Sequence, residues 1–315
     1  MQIIGDAERG APRNDGRRSV ITIGAYDGVH LGHRAVIAQV RERAIELGCA
    51  SVVVTFDRHP ASVVRPESAP KLLTDLDQKL ELLESTGVDA VYIVRFDAER
   101  SAESPTAFIE RALVGDLRAR EVIVGEDFHF GHKRSGNVAL LAEVGSRHDF
   151  LVSPIRLIPR PDGIAEPVSS TAIRRALAGG QVEVAAQLLG RNYEVRGVVV
   201  HGDERGRQIG FPTANVEVPS AQCFPADGVY AGTVRLADGS THRCAINLGR
   251  RPTFFEHADH SLLEVHVLDF SGDLYDQRVR VSFTKFLRSE RKFEGLDALK
   301  TQLALDVAAA RAALG

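Results

Sequence analysis

The sequence predicts two architectures in series: an α/β unit built on a parallel sheet, then an antiparallel β-barrel or sandwich closed by a helix. Two observations carry this expectation. Between Ser19 and Val152, short β-type runs alternate with helical patterns, as a parallel sheet covered by helices requires. After about residue 190, strand-like runs follow one another with no long helix between them, which is the pattern of a barrel or sandwich. A length of 315 residues suits two domains of moderate size.

The elements follow in order. Ser19-Val20-Ile21-Thr22-Ile23 is a β-type run, and a helical pattern starts near Arg34. Val52 to Phe56 reads as a buried strand. Asp75 to Ser85 reads as a helix with Leu76, Leu80 and Leu83 on one stripe. Ala90 to Val94 is a strand, and Pro105 to Leu113 a helix with proline in its first turn. Glu121 to Val124 is a strand, Val138 to Val144 a helix and Phe150 to Val152 a strand. A helix pair, Ala172–Leu177 and Val182–Leu189, closes the first domain, with the boundary near Gly190-Arg191-Asn192. The later strands are Tyr193 to His201, Gly228 to Leu236, Thr241 to Leu248, Leu262 to Leu268 and Arg278 to Phe286. A last helix runs from about Leu296, with Leu299, Leu303 and Val307 as its buried stripe.

Composition excludes several classes. A net charge of −3 gives no basic field for nucleic acid or an anionic membrane. Cys49, Cys223 and Cys244 form no CxxC pair, which fits a reducing cytoplasm. The stretch MQIIGDAERG lacks the features of a signal peptide, and no apolar run approaches a membrane span. A cytoplasmic location is expected. Oligomeric state, homo-oligomer included, stays open.

The most informative segment is GAYDGVHLGH, residues 24–33, between a strand and a helix. Gly24, Gly28 and Gly32 would let backbone approach an anion at a helix start. His30 and His33, three apart, can face one phosphate. The segment resembles the HxGH signature of nucleotidylyl transferases. VGEDFHFGHKRSG, residues 124–136, also follows a strand, and a parallel sheet binds ligands at the carboxyl ends of its strands. In VSSTAIRRAL, hydroxyls at a helix start are ordinarily plain caps. Arg174 one turn later turns the reading toward an anion site.

Taken together, these motifs and their order resemble the bacterial bifunctional riboflavin kinase/FAD synthetase family over nearly the whole chain, from Ile21 to about Ala309. The matching segments are GAYDGVHLGH, TFDRHP (55–60), KLLT (71–74), VGEDFHFGHKRSG, SSTAIRRAL, the run 188–216, GVYAGTV (228–234), INLGRRPTF (246–254) and LEVHVLDFSGDLYDQ (263–277). The resemblance implies a Rossmann-like nucleotidyltransferase domain with a parallel sheet over 1–190. It implies an antiparallel β-barrel riboflavin kinase domain with a closing helix over 191–315.

The implied chemistry is phosphorylation of riboflavin to FMN, with ADP as by-product, then transfer of AMP from ATP to FMN, giving FAD and pyrophosphate. Mg2+ and ATP serve both steps. His30 and His33 fall on the ATP phosphates, within a turn whose Gly24, Asp27, Gly28 and Gly32 are candidate nucleotide-binding positions. Ser170, Thr171 and Arg174 fall on the pyrophosphate side. Asp127, Phe128 and Phe130 fall near the flavin, although core packing accounts for the two aromatics equally well. His59 is a nucleotide-site candidate or a structural turn histidine. In HGDERGRQIGFPTAN, Arg205, Gly206 and Arg207 form a glycine-rich flap over phosphates, and no Gly-Lys-Ser/Thr marks a Walker loop. Thr213 and Asn215 are the implied magnesium ligands. Glu264, on the polar side of an alternating strand, is the implied base for the riboflavin hydroxyl.

Two other readings exist. In one, the first domain is an FMN adenylyltransferase and the barrel binds flavin without catalysis; Thr213, Asn215 and Glu264 argue against it. In the other, the chain is a non-catalytic flavin-binding regulator; His30 and His33 argue against it. The sequence departs from the family pattern at Tyr26 (usually Phe), Arg58 (usually Pro) and Asp276 (usually Gly).

Overall fold

The run Ser19–Ile23 is buried throughout, as a strand covered by helices on both faces must be. It is one of the two central strands of a six-stranded parallel sheet in a computed structural model. The structure describes residues 1–5, 16–156, 158–160, 162–202, 206, 209–250 and 261–315. These form two compact units, Met1–Ser169 and Ser170–Gly315.

In the first unit the strands are β1 (Gln2–Gly5), β2 (Ser19–Ile23), β3 (Ala50–Phe56), β4 (Ala90–Val94), β5 (Ala119–Gly125) and β8 (Leu151–Ile155). Their order is β1-β4-β3-β2-β5-β8, every pair parallel. The chain therefore leaves β2 toward one side and returns to the other, so the switch point lies between β2 and β5. A separate ribbon pairs β6 (His129–Phe130) with β7 (Gly136–Asn137).

The helices are α1 (Leu31–Glu46), α2 (Ala61–Val64), α3 (Leu76–Glu84), α4 (Ala98–Ser101), α5 (Pro105–Phe108) and α6 (Val138–Arg147). A π-helical stretch, Ile109–Asp116, continues α5. Side-chain alternation splits the core. Ile21, Val52 and Val122 pack with Phe108, Leu113 and Leu141 on one face. Val53 and Val91 meet Ile37 and Leu83 on the other. The sequence did not reveal β1, a four-residue edge strand. It began α1 three residues late and placed the β8 strand at Phe150–Val152, because Pro154 obscures a strand that sits at the sheet edge.

In the second unit, β9 (Tyr193–Val200), β10 (Ala214–Glu217), β11 (Gly228–Arg235), β12 (Thr241–Arg250), β13 (Ser261–Val267) and β14 (Arg278–Arg288) close in the order β10-β13-β12-β11-β14-β9. Closure decides for a barrel over a sandwich and removes the sheet edges. Helices α7 (Ser170–Ala178) and α8 (Val182–Leu189) group with this unit, α8 packing on β9 and β14.

The last helix, α9 (Leu296–Leu314), sets Ala310 against Ala231, Ala245 and Leu268. Its deepest residues are Gln302, Asp306 and Ala310, where an apolar stripe of Leu299, Leu303 and Val307 was expected. The reason is a buried polar network. Arg288 grips Asp306 with two hydrogen bonds of 2.8 and 2.6 Å, and Gln302 donates to the same carboxylate at 2.7 Å. A paired buried charge of this kind displaces the apolar residues to the flanks.

Candidate active sites

The turn 24–33 leaves the carboxyl end of β2 at the switch point. Gly24 N–H donates to the Val54 carbonyl at 3.0 Å, extending the strand pairing. A Cβ on Gly24 would lie 3.1 Å from the Tyr26 ring. Tyr26 itself is buried, has φ 50°, and donates its hydroxyl to Thr22 Oγ1 at 2.8 Å. Burial pushes its phenol pKa up. This position, usually Phe in the resembling family, thus gives its extra oxygen a partner. Val29 is fully buried at φ 37°, an uncommon conformation for a β-branched residue that the surrounding packing must enforce.

His30 caps α1. Its Nδ1 accepts the backbone N–H of His33 at 3.3 Å, which assigns the proton of the neutral ring to Nε2. The His30 and His33 rings stack with centroids 3.6 Å apart, and His33 also meets Tyr26 at 4.8 Å. Gly32 makes this possible: a Cβ there would stand 3.1 Å from the His30 ring and 3.2 Å from the Val168 carbonyl.

The segment KLLT clamps the turn. The Asp27 carboxylate, buried, accepts N–H bonds from Leu73 at 2.9 Å and Thr74 at 3.1 Å. Thr74 Oγ1 takes the Gly28 N–H at 3.1 Å, with Gly28 at φ 86°. Asp27, Gly24 and Gly28 therefore hold the turn's shape.

A small cleft beside the turn is lined by Asp27, Asp57, His59, Thr74 and Lys79. His59 Nδ1 accepts the Ala61 N–H at 3.1 Å, so the ring fixes the local turn while lining the cleft. Lys79 was not singled out from sequence. It sits among Leu76, Leu80 and Leu83 on the inner stripe of α3, a cation where an apolar residue belongs, and that was the available signal. Its Nζ is buried and donates to the Phe56 carbonyl at 2.7 Å, with Thr55 Oγ1 at 3.4 Å and the Ala25 carbonyl at 3.5 Å. Arg58 is exposed and pairs with Asp57 at 3.1 Å.

After β5, Asp127 is exposed, and its carbonyl contacts the His129 ring at 2.8 Å. Phe128 and Phe130 stack with centroids 5.4 Å apart at 13°. Phe130 belongs to the core, while Phe128 is partly buried against it. Ser170 and Thr171 open the first turn of α7, and Arg174 lies one turn on, on the same face as Ser170.

In the barrel, Leu263 and Val265 point into the core, while Glu264 and His266 are half-buried on the opposite side of β13. Register sets Glu264 between two amides: Asn247 on β12 and Asn215 on β10 are its cross-strand partners. Asn247 Nδ2 donates to Glu264 Oε2 at 3.0 Å. His266 Nδ1 lies 2.7 Å from the Pro212 carbonyl, tethering the entry to β10.

Asn215 is buried, and a Cβ on Gly202 would collide with its amide at 2.1 Å. A Cβ on Gly206 would stand 3.4 Å from Thr213 Oγ1 and 2.4 Å from the Phe211 carbonyl. Glycine backbone thus lies directly against Asn215, while Thr213 Oγ1 is at ordinary contact distance from the Gly206 position. Arg205 and Arg207 lie outside the described residues. Asp276 has φ 61°, the left-handed conformation that explains why glycine is usual there.

The two unlike folds match two enzyme families, which makes the chain a two-unit transferase. Residues 13–172 match the family model described as FAD synthetase, and residues 189–314 that described as riboflavin kinase. The chain belongs to the bifunctional riboflavin kinase/FMN adenylyltransferase family. A relative of that name from Haemophilus influenzae is 41% identical over 292 residues, covering 93% of each chain. Another, from Pseudomonas fluorescens, is 42% identical over 95% of this chain and 94% of its own. A solved structure described as a macrolide-efflux protein from Streptococcus pneumoniae covers 99% of both chains, with TM-score 0.85 and 28% identity. Among the described residues of the present chain, no helix is long and apolar enough to cross a membrane.

Proposed function

We propose that the barrel phosphorylates riboflavin to FMN, giving ADP, and that the parallel-sheet unit transfers AMP from ATP to FMN, giving FAD and pyrophosphate. The carrying observation is that the two family matches fall on two separate folds, one carrying an HxGH turn after its β2 strand and the other presenting a carboxylate between two amides. FMN attacks as an anion and needs no strong base, so the first unit's task is alignment and charge stabilisation. His30 donates from Nε2 to a phosphate oxygen, and His33, stacked on it, supports the same group. Ser170, Thr171 and Arg174 hold the pyrophosphate side, and Phe128 faces the flavin.

Riboflavin attacks as an alcohol and needs a base. Glu264 takes that proton. Thr213 and Asn215 would hold Mg2+, since a hydroxyl and an amide oxygen are hard donors and glycine backbone packs closely on the Asn215 amide. Bound magnesium would neutralise charge on the ATP phosphates. On this reading Gly206 belongs to the glycine-rich stretch over the ATP phosphates. The activities divide near 190/191, and free, buried cysteines suit a cytoplasmic setting.

The test is one time course with riboflavin, ATP and Mg2+. FMN should rise first and FAD follow. FAD formed only from supplied FMN would favour a barrel without catalysis.

A further inference from the structure

Strand register places three polar side chains in one row across β12, β13 and β10: Asn247, Glu264 and Asn215. The two amides have different surroundings. Asn215 lies under Gly202, while Asn247 spans directly to the carboxylate, Nδ2 to Oε2 at 3.0 Å. A glutamate has three side-chain torsions, and its terminal one is broad. An unrestrained carboxylate would therefore sample many orientations. A hydrogen bond to one oxygen selects an orientation and leaves Oε1 as the atom that meets substrate.

We propose that Asn247 is a positioning residue for the kinase reaction, holding the Glu264 carboxylate by Oε2 so that Oε1 takes the riboflavin hydroxyl proton. This rests on the reading of Glu264 as the base. Asn247 acts through Glu264 and not through substrate binding. Its loss should therefore lower turnover with little effect on riboflavin KM. It should also have no effect once the carboxylate is gone.

The experiment compares four full-length proteins in the riboflavin kinase half-reaction: wild type, Asn247→Leu, Glu264→Gln and the double variant. Thermal melting serves as the control for an intact barrel, and adenylylation of supplied FMN as the control for the other unit. Asn247→Leu should lower kcat by roughly 10- to 10²-fold, the upper figure being the scale of a misplaced catalytic group, and leave riboflavin KM within about twofold. Added to Glu264→Gln, it should cause no further loss. Asn247→Ser, smaller and still polar, repeats the comparison if the leucine variant does not fold. Three results overturn the inference: unchanged kcat in folded Asn247 variants, a loss expressed mainly in KM, or an equal kcat loss in both backgrounds. Full kinase turnover in Glu264→Gln refutes the base assignment and this inference with it. A crippled Glu264→Gln beside an unaffected Asn247→Leu refutes the inference alone.

Discussion

Replacing Lys79 by methionine tests whether the cleft beside the HxGH turn contains a cation held there at a cost. The ammonium is buried, and burial pulls its pKa from the ordinary 10.5 to about 8, against the opposing attraction of Asp27 and Asp57. Because the folded-state pKa is the lower one, the folded chain binds fewer protons than the unfolded chain between about pH 8 and 10.5. Stability therefore rises with pH across that window, and the cost is fully present below it. The full gap corresponds to roughly 3 kcal/mol. Linkage places about 2 kcal/mol of it between pH 7 and pH 9.5. Urea unfolding of wild type and Lys79→Met, followed by far-UV circular dichroism at both pH values, isolates this contribution, because other titrations cancel in the difference. Wild type should gain about 2 kcal/mol on the variant as pH rises. A difference that stays flat, or moves the other way, would show that the lysine is not desolvated in the folded chain.

Four further outcomes are expected. His30→Ala or His33→Ala should lower FAD formation roughly 10²–10³-fold and leave FMN formation near wild type, measured in separate half-reactions. Glu264→Gln should lower FMN formation roughly 10²–10⁴-fold while adenylylation of supplied FMN and the melting temperature persist. Asp276→Gly should raise stability by about 0.5 kcal/mol in urea unfolding, since it relieves a left-handed residue; a destabilised variant contradicts this. Fragments starting at Ser170 and at Arg191 should both make FMN and no FAD. The shorter one should melt lower, because it lacks α8, whose Leu188 and Leu189 are buried.

The parts of the fold legible in the sequence were those with strong periodicity. β2 and β3 are runs of β-branched residues, and α3 announces itself with an Asp75 cap and a leucine stripe. Hidden elements were short: β1 has four residues, and β10 starts at a Thr-Ala-Asn stretch that reads as a turn. The last helix was legible but its inner face was not, because α9 buries a glutamine and an aspartate. At the sites, His30, His33 and Glu264 stand in recognisable surroundings. Asn247 does not, because its meaning comes from the register between β12 and β13, which no local pattern specifies. Asp27 stood out as a nucleotide-binding candidate, yet its hydrogen bonds run to a loop 46 residues away.

The hydrogen bond from the His33 amide to His30 joins local folding to chemistry. Only an imidazole with a bare Nδ1 can start α1 in this way, so the first turn of the helix selects which nitrogen carries the proton. On the proposed role of His30, an incoming oxyanion that draws on Nε2–H favours the same form of the ring. Ligand arrival and order at the helix start then reinforce each other, by about 1 kcal/mol if the cap behaves as others do. A substitution that merely frays Leu31 or Gly32 would unsettle the position of a proton without touching either histidine.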